Sequence, residues 1–489
     1  MPTDFDALRA SQFSRLDAAS PPHAYLDYTG SGLYPQSILH HHQTLLRTHC
    51  LGNPHSSNPT SAVSTAKIDA ARRAVLRYFN ADPAEYCLVF TPNASAAIKL
   101  VAEAFPFTPR SALLLLADNH NSVNGIRVYA CRAAASTTYI PLASAMRCPP
   151  LAPYLHKRNT DANNLFAFPA QSNFSGVKHD LAAVRAAHRH AWYVLLDAAA
   201  FVPTSKLDLS VVRPDFVPVS FYKIFGLPTG VGALIAKKKS LAVLKRPWFA
   251  GGTVKYASVK NNVHSLCTDE SAFEEGTVNF LSIPAITFGI QFISRIGIDN
   301  INARVHALTT TLLRGMLALK YTNGAPMLTI YGPHTMKDRG GTIAFDVLTP
   351  TASRVDARHI EKAANKQNIS LRTGCFCNPG AAETALKAHA SRTSKCVHLI
   401  PNTDLSLEHV SKCVGEYLGA IRVSVGIATS EQDISTFLSF LRKFCSKFQG
   451  GRGGIKNAAD INSGIIKLVL DDVRDSRKKH RHHHLSSQS

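Results

Sequence analysis

Residues 216–226 read FVPVSFYKIFG, an apolar run that leads into a polar, glycine-ended turn carrying Lys223. A similar apolar run upstream, 193–196, ends on Asp197. A pyridoxal phosphate enzyme needs a lysine that forms a Schiff base with the cofactor and a carboxylate that keeps the pyridine nitrogen protonated. Because the two residues follow consecutive predicted strands, the sequence predicts these roles for Lys223 and Asp197. The alternative for Asp197 is a loop aspartate that caps a helix.

Further apolar runs recur between residues 60 and 290 and alternate with helical patterns. They are continuous rather than alternating, which is typical of strands buried on both faces of a mainly parallel sheet. We therefore predict an α/β fold, with its ligand beyond the carboxyl ends of the strands. The candidate strands are Cys87–Phe90, Ala112–Leu116, Leu165–Phe168, Tyr193–Leu196, Phe216–Val219 and Gly232–Ala236.

The length of 489 residues predicts two domains and a tail. Residues 1–55 form an N-terminal segment over the site, and 56–294 form the large domain. A smaller α+β domain is predicted for 295–448, with a helix near 300–320, a strand at 421–425 and a helix from about 430 to 448. The basic, histidine-rich tail, 449–489, is predicted to be mostly disordered.

Composition limits the class of protein. Apolar residues make up 45% and charged residues 18%, as in a globular enzyme, and no apolar run is long enough to span a membrane. The start lacks a secretory pattern, and the ten cysteines do not resemble a disulfide framework. We therefore expect a reducing, cytoplasmic location. Zinc is not expected, because Cys375 and Cys377 lack a second ligand pair.

The net charge of +21 suits binding of anions such as a phosphate-bearing cofactor or an acidic partner. A basic nucleic-acid binder is an alternative with charge as its only support, since no nucleic-acid motif is present. Salt-sensitive, sequence-independent binding would favour that alternative.

A phosphate site is predicted at residues 91–97, TPNASAA, between a strand and a helix that begins near Ala94. A helix N-terminus attracts anions, and the hydroxyl of Ser95 adds a donor. Ser220, three residues before Lys223, could supply another donor. The alternative is an ordinary helix cap, for which Asn93 is a common residue.

Two further strand ends carry polar residues. Asn173 follows the strand at 165–168 and could donate to the phenolic oxygen of the cofactor ring. His120 follows the strand at 112–116 and could stack on the ring or carry a proton. A lone histidine is more often structural, but polar residues at four strand ends together favour a site.

Residues 372–377, RTGCFC, suggest how a substrate is handled. The guanidinium of Arg372 can bind an amino-acid carboxylate at two points, although it could equally be a surface arginine. Cys377 or Cys375 could supply a nucleophilic thiolate. These features together point to sulfur chemistry on an amino acid.

Five segments in order resemble the class V aminotransferase and cysteine desulfurase family of fold-type I pyridoxal phosphate enzymes, in its molybdenum cofactor sulfurase branch. The resemblance implies a homodimer in which Gly276 and Thr277 reach the phosphate of the neighbouring subunit. It also implies that the mobile, sulfur-accepting cysteine is Cys377. The segments are YLDYTGSGLYP at 25–35, DAAAFV at 197–202, SFYKIFGLPTGVG at 220–232, FEEGTVNF at 273–280 and RTGCFCNP at 372–379.

The resemblance implies the remaining roles residue by residue. Lys223 would form the Schiff base, Asp197 would hold the pyridine nitrogen, and Arg372 would bind the substrate carboxylate. Asn173 would lie near the phenolic oxygen and His120 over the ring. The residues implied to hold the phosphate are Ala94, Ser95 and Ser220.

The implied function is desulfuration of L-cysteine to alanine, with the sulfur held as a Cys377 persulfide for an acceptor. Bacterial desulfurases carry glutamine in place of Ala200 and histidine in place of Tyr222. Full sulfurases also carry a cofactor-binding domain where this chain has about forty residues. The acceptor therefore stays open between the molybdenum cofactor and another molecule or protein. The alternatives are a C–S lyase acting on a cysteine conjugate and a non-catalytic binding protein with this fold.

Overall fold

The computed structural model describes residues 3–156, 161–386, 390–401 and 403–449. The tail predicted for 449–489 lies outside the described residues except for Gln449. The helices are α1 Phe5–Gln12, α2 Gln36–Thr48, α3 Pro59–Tyr78, α4 Ala94–Ala104, α5 Asn121–Asn124, α6 Ile126–Arg132, α7 Ala152–Leu155, α8 Ala182–Arg189, α9 Phe221–Phe225, α10 Lys238–Leu241, α11 Pro284–Ile296, α12 Ile298–Leu317, α13 Ala357–Asn365, α14 Pro379–Ala385, α15 Ala390–Leu399, α16 Leu407–Val414 and α17 Glu431–Ser446.

A seven-stranded sheet in the order β2-β8-β7-β6-β5-β3-β4 forms the centre of the molecule. Only β8 runs antiparallel to its neighbours, so β2, β3, β5, β6 and β7 all end at the same edge of the sheet. The strands of this sheet are β2 Tyr86–Thr91, β3 Ala112–Leu116, β4 Ser136–Ile140, β5 Leu165–Pro169, β6 Tyr193–Asp197, β7 Phe216–Ser220 and β8 Gly232–Lys237.

A second, four-stranded antiparallel sheet has the order β11-β12-β15-β14. The N-terminal strand β1 pairs in parallel with β13, and β9 and β10 form a hairpin. These strands are β1 Ala24–Tyr25, β9 Val254–Ser258, β10 Val263–Leu266, β11 Leu328–Tyr331, β12 Thr342–Val347, β13 Ile369–Ser370, β14 Arg372–Gly374 and β15 Ala420–Ser424.

The predicted α/β fold is confirmed, and each of the six predicted strands lies within an observed strand. Every residue of β2, β3, β5, β7 and β8 is buried, because helices cover both faces of the sheet. The edge strand β4 was not predicted, because four of its five residues are exposed and its sequence, STTYI, lacks an apolar run.

The N-terminal segment is fastened to the last helix. The guanidinium of Arg9 in α1 donates to the Asp433 carboxylate in α17 at 2.5 Å, and both side chains are buried. Asp433 also completes a capping box with Ser430. These contacts fix the segment that leads to β1 and onwards to the centre of the molecule.

The cysteines differ from the expectation in one respect. Cys396 in α15 and Cys413 in α16 form a disulfide, a single bond that the sequence analysis did not predict. The other eight are free.

Across the part of the chain that the structure describes, no helix has both the length and the apolarity needed to cross a membrane.

Candidate active site

A cavity of about 310 Å³ opens at the carboxyl edge of the large sheet, where the polar strand ends converge. Because parallel strands end together at one edge, residues that are far apart in sequence meet here. Seven residues selected from the sequence line it, namely Ala94, Ser95, His120, Asn173, Asp197, Ser220 and Lys223.

Lys223 lies in the short helix α9, directly after β7. The helix ends at Gly226, whose φ of 78° is left-handed and whose missing side chain leaves room for the backbone of Leu33 and Tyr34. The side chain of Lys223 is partly buried. Burial lowers the pKa of its amine, Arg422 and Arg372 lower it further, and the Asp197 carboxylate opposes the shift. A lysine with a lowered pKa has a larger fraction of reactive free amine.

His120 and Asp197 share this environment. Burial lowers the pKa of His120, with Asp197 acting in the opposite direction, so the imidazole is neutral at physiological pH. The backbone N–H of Ser122 donates to His120 Nδ1 at 3.1 Å. Nδ1 is therefore an acceptor, and the neutral ring carries its proton on Nε2. Ser122 also contacts the Ser95 hydroxyl at 2.5 Å, which links the ring site to the start of α4.

The predicted phosphate site lies at the first turn of α4. Asn93 caps this helix by accepting from the N–H of Ala96 at 2.9 Å. The N–H of Ala94 donates to the Ser220 hydroxyl at 2.9 Å, which brings the end of β7 against the helix. The backbone of Asn93 lies so close to Gly232 that a Cβ there would meet it at 2.6 Å. The predicted helix start and hydroxyl donors therefore come together at one end of the cavity.

Two arginines lie beside this cavity and share one carboxylate. Arg372 donates to Asp27 at 2.7 Å, and Arg422 donates to the other oxygen of Asp27 at 3.0 Å. Arg422 is buried and also donates to the Asn173 carbonyl, whereas the side chain of Arg372 is 51% exposed. Arg372 is therefore the guanidinium that a carboxylate can reach from solvent.

The cysteine turn between β14 and α14 has an unusual backbone. Phe376 and Cys377 both have a φ of 55°, which costs a residue with a side chain about 1–2 kcal/mol. Hydrogen bonds hold the turn. Asn173 Nδ2 donates to the Phe376 carbonyl at 2.7 Å, and the N–H of Asn121 donates to the Cys377 carbonyl at 2.7 Å. Residues that follow β3 and β5 therefore fix the position of Cys377.

The two cysteines of this turn differ in accessibility. Cys375 is largely buried, and burial raises the pKa of its thiol to about 11. Its Sγ donates to the Leu418 carbonyl at 3.4 Å. Cys377 is exposed, and it lies within electrostatic range of both Lys223 and Arg422. Cys377 is thus the accessible thiol of the pair.

Gly276 and Thr277, which the sequence predicts to reach a neighbouring subunit, do not line this cavity. The Thr277 hydroxyl accepts from Asn53 at 3.2 Å, and Gly276 has a φ of 70°. Ala200 lines the cavity at the position noted as a departure from bacterial desulfurases, and Tyr222 lines it as well.

Sequence reasoning missed Arg422, Ser122 and Asn378. Ser122 has a local signal, because it lies two residues after His120 and could have been selected with it. Arg422 had no such signal, since a single charged residue in an apolar strand such as AIRVS is usually exposed to solvent. Asn378 follows Cys377 directly, but it is buried and its side-chain partners Asp118 and Asn173 are distant in sequence.

The lining residues suit the cofactor that the sequence predicts. A helix N-terminus with hydroxyls at one end matches a phosphate, a buried carboxylate matches a protonated ring nitrogen, and a buried amine matches an aldehyde. Asp197 keeps its position by accepting from the N–H of Ala199 at 3.0 Å.

Comparison with known proteins gives a consistent result. The family model described as aminotransferase class-V matches residues 24–437. A molybdenum cofactor sulfurase of Solanum lycopersicum is 34% identical over an alignment 519 positions long, which covers 98% of this chain and 61% of the relative. Among such curated relatives, the chain spans between 51% and 63% of their length.

Two solved structures have the same fold. An apo cysteine desulfurase from Thermococcus onnurineus NA1 has a TM-score of 0.73 at 21% identity, covering 90% of this chain and 98% of that one. A mutant of C-DES with glycine covalently linked to its PLP cofactor has a TM-score of 0.67 at 19% identity, covering 88% and 98%. The predicted fold-type I architecture is thereby confirmed. Since the family model covers most of the sequence, this chain belongs to the class V aminotransferase family.

Proposed function

We propose that the protein is a pyridoxal phosphate-dependent cysteine desulfurase, which takes sulfur from L-cysteine and holds it as a persulfide on Cys377. One observation carries this proposal. The partly buried Lys223 lies within electrostatic range of both the Asp197 carboxylate and the accessible thiol of Cys377. The match to sulfurase relatives over almost the whole chain supports the same function.

The cofactor, when bound, withdraws electrons from the α-carbon of an amino acid and so weakens the bonds around it. Lys223 would hold the cofactor covalently, and its amine would then carry the α-proton. Asp197 would keep a proton on the ring nitrogen, and neutral His120 would lie over the ring. Ala94, Ser95 and Ser220 would hold the phosphate at the start of α4.

The substrate carboxylate would bind Arg372, with buried Arg422 adding a second positive charge behind it. This places the β-carbon and sulfur of cysteine towards the turn that carries Cys377. The Cys377 thiolate would attack the substrate sulfur, forming an S–S bond as the C–S bond breaks. The bonding electrons go to the substrate carbon, which is then protonated. One cysteine and one thiol thus give one alanine and one persulfide.

The finer parts of the proposal concern partners and location. The sulfur acceptor would be the molybdenum cofactor or a separate molecule or protein. The protein would act as a homodimer in which Gly276 and Thr277 of each chain reach the phosphate of the other. We also propose residues 56–294 and 295–448 as separate domains, and a cytoplasmic location, which the eight free thiols support.

A C–S lyase acting on a cysteine conjugate is the second candidate. The observation that favours it is the lining of the cavity, which includes Lys223 and Asp197 but not Cys377. Elimination of a thiol from a conjugate needs the lysine and the cofactor alone. Its products would be the thiol, pyruvate and ammonium, with no alanine.

The test begins with the purified protein and added pyridoxal phosphate. The visible absorbance of the bound cofactor is recorded before and after L-cysteine is added, and alanine, pyruvate and persulfide are measured in the same sample. Lys223→Ala should lose the lysine-bound absorbance and all turnover. Cys377→Ala should keep the absorbance and lose the persulfide. Cys131→Ala is the matched control, since Cys131 is also an exposed thiol.

Alanine together with a persulfide on Cys377 would support the desulfurase. Formation of pyruvate without alanine would support the lyase if this activity persists in Cys377→Ala. Bound cofactor without turnover of L-cysteine, or of a cysteine conjugate supplied in its place, would favour a non-catalytic binding protein. No absorbance change after adding the cofactor would reject every hypothesis in which the protein binds pyridoxal phosphate.

A further inference from the structure

A buried polar network lies beneath the turn that carries Cys377, and Asn378 is at its centre. Asn378 and Asp118 are both completely buried. Asn378 Nδ2 contacts Asp118 Oδ1 at 2.7 Å and Asn173 Oδ1 at 2.9 Å. One side chain therefore joins the cysteine turn to two strand ends of the large sheet.

The direction of these hydrogen bonds follows from a backbone group. The N–H of Ala381 donates to Asn378 Oδ1 at 3.1 Å, and a backbone N–H can only donate. The amide nitrogen of Asn378 must therefore face Asp118 and Asn173. Asn173 in turn presents Oδ1 to Asn378, which leaves its own Nδ2 to donate to the Phe376 carbonyl at 2.7 Å.

Asp118 anchors the network on the opposite side. Its carboxylate accepts from the Ser172 hydroxyl at 2.7 Å and contacts His179 Nε2 at 2.9 Å. Ser172 and His179 are buried as well, so water does not replace any of these donors. A carboxylate held by several donors is a fixed acceptor for Asn378.

We propose that Asn378 is a positioning residue, which fixes the Cys377 turn and orients the Asn173 amide towards the cofactor ring through one side chain. The kinetic effect expected from this role depends on the proposed desulfurase function. Two consecutive left-handed residues, Phe376 and Cys377, need such external restraint to persist. The second hydrogen on Asn173 Nδ2 remains for the phenolic oxygen of the ring.

Asn378→Asp tests this directly. The carboxylate keeps the acceptor that caps α14 but removes both donors, and it places a second negative charge beside Asp118. Asn173 would then turn its nitrogen towards residue 378 and its oxygen towards the Phe376 carbonyl, where two acceptors repel each other. The turn should loosen although the helix cap is retained.

Hydrogen–deuterium exchange of the cofactor-free protein is the first measurement. Peptides containing Asn121 and Asn378 should exchange about tenfold faster in Asn378→Asp than in the unsubstituted protein, because both amides donate within this turn. Asn378→Ser also keeps a cap acceptor but cannot reach Asn173, and it should change in the same direction. Asn58→Asp is the matched control, because Asn58 caps the start of α3 by accepting from the N–H of Ser61.

The second measurement uses the loaded protein. Persulfide formation should slow about 100-fold in Asn378→Asp, with the KM for cysteine within about threefold, because a displaced nucleophile loses rate rather than binding. The visible absorbance of the bound cofactor should also shift, because the Asn173 donor to its ring has turned away. A loss of global packing alone would change KM and melting temperature together.

Unchanged exchange in both Asn378 variants would overturn the proposal, whatever the kinetics. Faster exchange with unchanged persulfide rate and absorbance would overturn the positioning role. If the unsubstituted protein forms no persulfide, the proposed function fails, while exchange and the cofactor absorbance still decide whether Asn378 holds the turn and orients Asn173.

Discussion

Arg372 and Arg422 lie directly opposite each other on the antiparallel strands β14 and β15. Two like charges at paired positions destabilise a sheet. The carboxylate of Asp27 offsets this repulsion, since each of its oxygens accepts from one of the two arginines. Asp27 comes from the N-terminal segment, so that segment completes the arginine pair.

Asp27→Ala should lower the free energy of unfolding by about 3 kcal/mol, because it leaves buried Arg422 without a counter-charge. Urea denaturation of the cofactor-free protein measures the change. Arg372→Gln is the comparison, because it removes the exposed partner of the same carboxylate and should cost less than about 1 kcal/mol. Equal losses in the two variants would contradict this account.

Lys223 should give the cofactor-free protein a dependence of stability on pH. Burial lowers its pKa below 10.5, so between the lowered value and 10.5 the unfolded chain binds more protons than the folded one. Stability then rises with pH across this window, by at most about 1.4 kcal/mol per pH unit. Lys223→Met should therefore be more stable than the unsubstituted protein at pH 7, with a difference that shrinks as the pH approaches 10.5.

Urea denaturation at several pH values measures that difference. Lys366→Met, at an exposed position, is the matched control and should show no such convergence. A Lys223→Met advantage that stays constant from pH 7 to pH 10 would contradict a lowered pKa for Lys223.

The sequence predicts the site to the extent that local patterns determine it. Continuous apolar runs predict β3, β5, β6 and β7, and parallel strands must bring the residues after them to one edge. His120, Asn173, Asp197 and Lys223 were found for this reason. Their positions in the cavity follow from the fold, whereas their chemical roles stay predictions.

The residues that were missed depend on contacts distant in sequence. Arg422 is buried because Asp27, 395 positions away, neutralises it. Asn378 is buried because Asp118, 260 positions away, accepts its hydrogen. No periodicity or short motif carries such information, because the partner is set only when the two sheets pack together. The bond between Cys396 and Cys413, only 17 positions apart, depends instead on how α15 packs against α16.

Reduction of that disulfide should loosen the unit formed by α15 and α16. The two cysteines are separated by 17 residues, for which the chain-entropy model gives about 3 kcal/mol. The unit has a small core of its own, so little else compensates for the loss. The residues of that core are Leu386, Cys396, Val410, Val414 and Leu418.

Limited proteolysis with and without reductant measures this effect. Cleavage within 390–414 should become faster after reduction, and the double variant Cys396→Ser/Cys413→Ser should behave like the reduced protein in both conditions. The single variant Cys131→Ser controls for loss of an unrelated thiol. Cleavage that does not respond to reductant would show that the bond does not stabilise this unit.

Cys377 should be alkylated far faster than Cys375, although the two are separated by one residue. With its pKa raised to about 11, Cys375 is only about one-thousandth thiolate at pH 8, and its burial restricts access as well. Iodoacetamide should therefore label Cys377 at least about 100-fold faster, as measured by mass spectrometry of the peptide that carries both. Exposed Cys131 is the reference for an unrestrained thiol. Faster labelling of Cys375 would move the predicted nucleophile to that residue, because attack on the substrate sulfur requires the same accessible thiolate.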